Sequence, residues 1–120
     1  HIVDNIQAFS DPPTAWFCGQ DPIAYSLISE FSKRGLRIPE DLSVAGYDNS
    51  VPAPPTLPTL TTLDDQREIM ARHAVDRLLR HIENPSSWSP VVIRVTGKLI
   101  LGDTVKEIPS VSEAEYQSLL

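Results

Sequence analysis

Three short polar clusters hold the side chains best suited to chemistry: Gln20 with Asp21, then Tyr47, Asp48 and Asn49, then Asp64 with Asp65. Each follows a short apolar or β-prone run, reading TAWFC, LSVAG and LTTL in turn. If those runs are neighbouring parallel strands, their C-terminal ends open onto one crevice. Carboxylates accept hydrogen bonds, whereas amides both donate and accept. A crevice of such groups beside an aromatic, Tyr47 or Trp16, suits a neutral polyhydroxylated ligand. Each ligand hydroxyl can donate to a carboxylate or accept from an amide. Asp21 and Asp64 also have a plainer reading as helix caps, a place that favours aspartate. Asp48 has the stronger claim to a ligand, because it lies just past Gly46 at a strand end.

The same residues offer little to catalysis. Glycoside hydrolysis needs a proton-donating acid opposite a nucleophile or base, and no spacing here shows that pair. Asp48, Asp64 and Asp65 lack the alternating ligand positions of a calcium loop. Cys18 lies inside an apolar run and reads as a small core residue. His1, His73 and His81 fall in neither an HExxH nor a Cys/His metal pattern. Trp88 reads as a cover over a core edge, with contact to a ligand as the alternative. No GxSxG, P-loop or GxGxxG is present. No catalytic residue, metal ligand or cofactor is therefore assigned.

The elements that must position these groups alternate between strand and helix. Residues 1–9 have roughly helical apolar spacing, and 10–13 form a proline-bearing loop. Residues 14–18 are expected to be a buried strand. Residues 21–34 carry helix signals at both ends: Asp21 and Pro22 at the start, Lys33, Arg34 and Gly35 at the finish. Ala24, Leu27, Ile28 and Phe31 share one face, and Tyr25 broadens it, as core or subunit interface. Residues 42–46 form the next strand, and four prolines make 49–58 a stiff loop. After the short run 60–63, a second helix is expected over 64–81, with Val75, Leu78, Leu79 and Ile82 as its apolar stripe. Residues 91–101 are strand-like, with Gly97 as a bend. Residues 103–120 read as a polar tail, with a weak helix from Ser112.

Composition sets the outer limits. The chain has 120 residues, 41% hydrophobic and 22% charged, enough for one small domain. Its net charge of −6 opposes nucleic-acid binding by this stretch alone. No run approaches the ~20 apolar residues of a membrane span, and no signal peptide is visible. A single cysteine precludes an internal disulfide and fits a reducing compartment. The chain starts at His1 and its one methionine is Met70, so a fragment of a longer protein is expected.

Two stretches carry a family resemblance. FCGQDPIAYSLISEFSKRGLRIPEDLSVAGYDNS, followed by PTLTTLDDQREIMARHAVDRLL, resembles the effector-binding domain of the LacI/GalR family of bacterial transcription regulators. The family pattern is a strand ending in Asn-Asp, a helix, and then Gly-(Leu/Ile)-x-(Ile/Val)-Pro-x-Asp-(Ile/Val)-Ser-(Val/Ile)-x-Gly-(Phe/Tyr)-Asp. Pro-x-Leu-Thr-Thr-(Ile/Val), a helix and a final strand complete it. The match runs from about residue 13 to about residue 103 and keeps the spacing between motifs.

The resemblance implies an α/β fold with a Rossmann-like three-layer parallel sheet, part of the periplasmic-binding-protein-like type I fold. It implies residues 1–103 as the C-terminal portion of the effector-binding domain and 104–120 as a tail. Helix 64–84 would cross to an N-terminal subdomain outside the chain. Gln20 falls where the family commonly has a ligand-contacting Asn, Asp48 on a ligand-contacting Asp, and Asp65 on a polar position often held by Gln. Tyr25 falls in a helix that contributes to the family's dimer interface, and Asp21 and Tyr47 are additional candidates for the ligand. The implied partners are a small-molecule effector, carbohydrate in class, DNA through a headpiece absent from this chain, and a second copy in a homodimer. No membrane partner is implied, and the implied location is cytoplasmic. A periplasmic sugar-binding protein of a transporter is the alternative on the same fold.

Overall fold

A computed structural model describes residues 10–87 and 89–107. The expectations for a helix in residues 1–9, for Trp88 and for a helix from Ser112 lie outside the described residues. Four strands form one sheet in sequential order: β1 (Ala15–Phe17), β2 (Ser43–Tyr47), β3 (Thr61–Asp64) and β4 (Lys98–Ile100). β1, β2 and β3 run parallel, with Trp16 opposite Val44 and Gly46 opposite Thr62. β4 pairs antiparallel with β3, Leu99 opposite Leu63. The sheet is thus α/β with a parallel centre, closed at one edge by a reversed strand, a common arrangement in large α/β folds.

Helix α1 (Asp21–Lys33) links β1 to β2. Pro22 lies in its first turn, where the missing N–H costs nothing. Ala24, Tyr25, Ile28 and Phe31 recur at helical spacing and all are buried. They pack with Leu42, Val44 and Leu60 in the core, and Trp16 tilts against Phe31 with ring centroids 6.3 Å apart. Each large side chain so buried stabilises the fold by roughly 1.5–3 kcal/mol. Gly35 ends the helix at a φ of 81°, with its N–H donating to Ser32 O and the Leu36 N–H donating to Phe31 O. That pair of bonds satisfies the last carbonyls, and a side chain at Gly35 would be strained.

Helix α2 (Arg67–Glu83) starts three residues later than the sequence indicates. Gln66 precedes it in the left-handed region, at φ 55°, so residues 64–66 turn the chain before the helix can begin. No residue of α2 is buried. Its stripe of Val75, Leu78, Leu79 and Ile82 is amphipathic in pattern yet more than half exposed at every position. The last strand is also shorter than its sequence run: only 98–100 pair, and Val91, Val92 and Ile93 stay exposed.

The packed body extends past Asp103, the expected start of the tail. Thr104 is fully buried. Its carbonyl accepts from the Val44 N–H at 2.8 Å, and its hydroxyl accepts from the Thr61 N–H at 2.9 Å. Residues 102–106 therefore form a strap across β2 and β3, tied again by Lys106 N–H to Ser43 Oγ. Gly102 is required for it, since a Cβ there would collide with the Thr59 carbonyl and lie 2.6 Å from Leu60 backbone.

Candidate functional site

The site lies where β1, β2 and β3 end. Gln20 follows β1 at the N-cap position of α1 in extended backbone; its carbonyl accepts from Ala24 N–H, but its amide makes no capping hydrogen bond. The Gln20 side chain is exposed beside the end of β1.

Asp21 departs from both sequence expectations. It is the first residue of α1 rather than its cap, and it is 1% exposed. Its Oδ1 accepts from the Thr62 hydroxyl at 2.6 Å, and its Oδ2 accepts from the Ser50 N–H at 3.2 Å. Gly46 makes room for this carboxylate: a Cβ there would collide with Asp21 Oδ1 and reach 2.6 Å from Leu60 Cδ2. Asp21 therefore lies sealed beneath the strand ends rather than on their surface.

The end of β2 is the most constrained backbone of the site. Asp48 has φ 94° and Asn49 φ 45°, values that L-residues other than Asn and Asp rarely take. Such strain persists only where the surroundings hold it, and it gathers at functional sites. The holding bonds are visible. Asp48 N–H donates to Leu63 O at 2.8 Å, and the Asp48 carbonyl accepts from the Arg67 guanidinium. Asp48 Oδ1 accepts from the Ser50 N–H at 3.1 Å. Asn49 Nδ2 reaches Asp64 Oδ2 at 3.3 Å. Tyr47 is half-buried, opposite Leu63 in the register.

β3 supplies the facing groups. Asp64 is its last residue, not a helix cap, and Asp64 Oδ1 accepts from Gln66 N–H at 2.7 Å. Asp65 pairs with Arg67, its Oδ1 at 3.2 Å from Nε. The pair is close but misaligned, so the buried Asp65 Oδ1 has no well-formed hydrogen bond. Asp48, Asn49, Asp64 and Asp65 are therefore joined into one cluster, and Gln20 is the chain neighbour of Asp21, which bonds to the 48–50 turn.

Two residues of the cluster were not read from the sequence. Arg67 bridges the ends of β2 and β3, and Gln66 anchors the turn by donating from Nε2 to Thr96 O. A signal existed for Arg67: a cation in the first turn of a helix opposes the dipole and needs nearby acid to hold it. Tyr25 takes the core place that the broad apolar face of α1 allows. It is 8% exposed in the core, where burial pushes its phenol above the ordinary range. A hydrogen bond with Leu60 backbone offsets this in part, and the Asp21 charge adds to the rise. Among the described residues no group of His, Cys, Asp and Glu is disposed to hold a metal ion. A separate groove of about 470 Å³ runs between α2 and residues 89–95, away from these carboxylates.

The order of the strands, the polar cluster at their ends and the motif spacing agree with a match over residues 1–105 to the periplasmic binding protein-like domain. The chain belongs to that family. Its relatives are of the LacI/GalR type. It is 39% identical over 105 residues to the HTH-type transcriptional repressor PurR of Vibrio vulnificus, covering 88% of this chain and 31% of the repressor. This periplasmic binding protein-like chain thus spans about a third of the length of the curated relatives it matches. Among solved structures, a LacI-type regulator from Bacillus cereus subsp. cytotoxis is similar at 26% identity and a TM-score of 0.76, over 89% of this chain and 38% of that one. The lac repressor dimer bound to operator and the anti-inducer ONPF is similar at 27% identity and a TM-score of 0.66, over 78% of this chain and 32% of that one. No helix among the described residues is long and apolar enough to cross a membrane.

Proposed function

We propose that this chain is the C-terminal part of the effector-binding unit of a DNA-binding transcription regulator of the LacI type. In this reading it is not an enzyme. It forms one wall of a cleft that holds a small molecule, and closure over that molecule shifts operator affinity through a homodimer in the cytoplasm. One observation carries the reading: three residues in left-handed backbone, Asp48, Asn49 and Gln66, hold hydrogen-bonding side chains together at the C-terminal ends of parallel strands. Strand ends are where open α/β sheets take ligands.

Asp48 and Asp65 would accept hydrogen bonds from the ligand and Gln20 would both donate and accept, with Tyr47 beside them. Such groups fit a carbohydrate or another polyhydroxylated effector. Ligand and operator then act as linked sites, each changing the affinity for the other by the same factor.

Calorimetry on the full-length regulator, with D-glucose, cellobiose and adenosine as probes, tests the reading. A saturable ligand should also change operator affinity in a gel-shift assay. Asp48→Ala should weaken that ligand by about 10–100-fold, the loss of a hydrogen bond to a charged group. Unchanged affinity in Asp48→Ala, or binding with no effect on operator, would remove the assignment.

A further inference from the structure

We propose that Asp21 is a positioning residue: it keeps the Ser50 N–H paired so that Asp48 is free to turn its carboxylate to the ligand. The inference rests on the proposed ligand role of Asp48. The Ser50 N–H is shared, 3.1 Å from Asp48 Oδ1 and 3.2 Å from Asp21 Oδ2. With Asp48 alone, that N–H would tie up the carboxylate in a turn of its own, as aspartate side chains do two residues on. Releasing it to a ligand would then leave a backbone donor without a partner, which is costly. Asp21 removes that cost, because its own oxygen already holds the same N–H.

The rest of the surroundings fit this role. Asp21 is 1% exposed, and its other oxygen is fixed by the Thr62 hydroxyl at 2.6 Å. Gly46 has no side chain to displace it. Asp21 joins the start of α1, the turn after β2 and the middle of β3, so the backbone beside Gln20 and the 48–50 turn are tied to one buried group. A buried carboxylate is expensive unless its hydrogen bonds are made, and here each oxygen has one.

The first test uses the 120-residue chain, with its fold first checked by the dispersion of its amide resonances. In solution NMR a coupling across the hydrogen bond, from Ser50 15N to the Asp21 side-chain carboxyl carbon, is expected in the wild type; its absence overturns the proposal without any variant. Asp21→Ala should move the Ser50 amide resonance and speed its exchange at least about tenfold. Asp21→Asn, which keeps an acceptor for Ser50 and a donor for the Thr62 oxygen, should restore both. Equal disturbance by Ala and Asn spread through Phe31 and Val44 would mean a merely structural role and would also overturn it. In the full-length protein, whichever of D-glucose, cellobiose or adenosine saturates should bind about tenfold more weakly to Asp21→Ala and within about threefold of wild type to Asp21→Asn. Equal affinity in all three proteins contradicts the proposal. If no probe saturates the wild type, the effector reading is what fails, and the Ser50 measurements still decide the role of Asp21.

Discussion

The Thr104 hydroxyl accepts a hydrogen bond from the Thr61 backbone N–H at 2.9 Å, across 43 residues of chain. Thr104 is fully buried and Thr61 is 6% exposed, so water cannot replace either partner. Thr104→Val keeps the volume and removes the acceptor. It should cost about 1–3 kcal/mol, the penalty for a buried donor left unpaired. Urea unfolding should show a lower midpoint at unchanged slope. An unmoved midpoint would show that the bond adds nothing net.

Asp41 and Arg37 make an exposed forked pair, with Oδ1 at 2.6 Å from one guanidinium nitrogen and Oδ2 at 2.9 Å from Nε. The Arg37 hydrogen bonds hold the Asp41 carboxyl down at about 2, below its usual 3.8. A depressed acid stabilises the fold while it is ionised. The contribution is therefore present above pH ~3.8 and lost as pH falls through about 2. Side-chain carbon shifts should titrate with that midpoint, and Arg37→Ala should return it toward 3.8. Because the pair faces water, added salt should shrink the difference.

Leu79 on α2 is 53% exposed, whereas Ile28 on α1 is fully buried. In the 120-residue chain, Leu79→Gln should change stability by no more than about 0.5 kcal/mol, the usual range for a surface position. Ile28→Ala should cost about 2–5 kcal/mol, since it opens a cavity in the core. Urea midpoints measure both. A large loss from Leu79→Gln would mean that the α2 stripe is covered in solution.

The elements legible in the sequence are those whose signals are local. Helix α1 was readable because Pro22, the Ala24–Ile28–Phe31 spacing and Gly35 all agree within one stretch. β2 was readable for the same reason, as a short apolar run, although it lies at 43–47, one residue later than expected, and runs through Gly46. The placing of Asp48 at a strand end followed directly, as did the LacI/GalR-type resemblance that the family match supports.

What escaped depends on distant partners. Asp21 read as a cap because nothing local reveals Thr62 or Ser50, which lie 41 and 29 residues away. Thr104 read as the start of a polar tail because its partners are on β2 and β3. The run 91–101 has the apolar content of a long strand, yet only 98–100 find a partner in β3. The stripe of α2 was correctly drawn, but a pattern shows which face is apolar and not what covers it.

The strap at residues 102–106 also sets an order of events during synthesis. β2 and β3 leave the ribosome well before Thr104 does. Until it emerges, the Val44 and Thr61 N–H groups lack the oxygens that later receive them. The parallel centre of the sheet can therefore reach its final hydrogen bonding only when nearly all the described chain is free. Such distant closure slows folding. A nascent chain stalled before Gly102 should remain open to protease, and one released beyond Lys106 should become resistant.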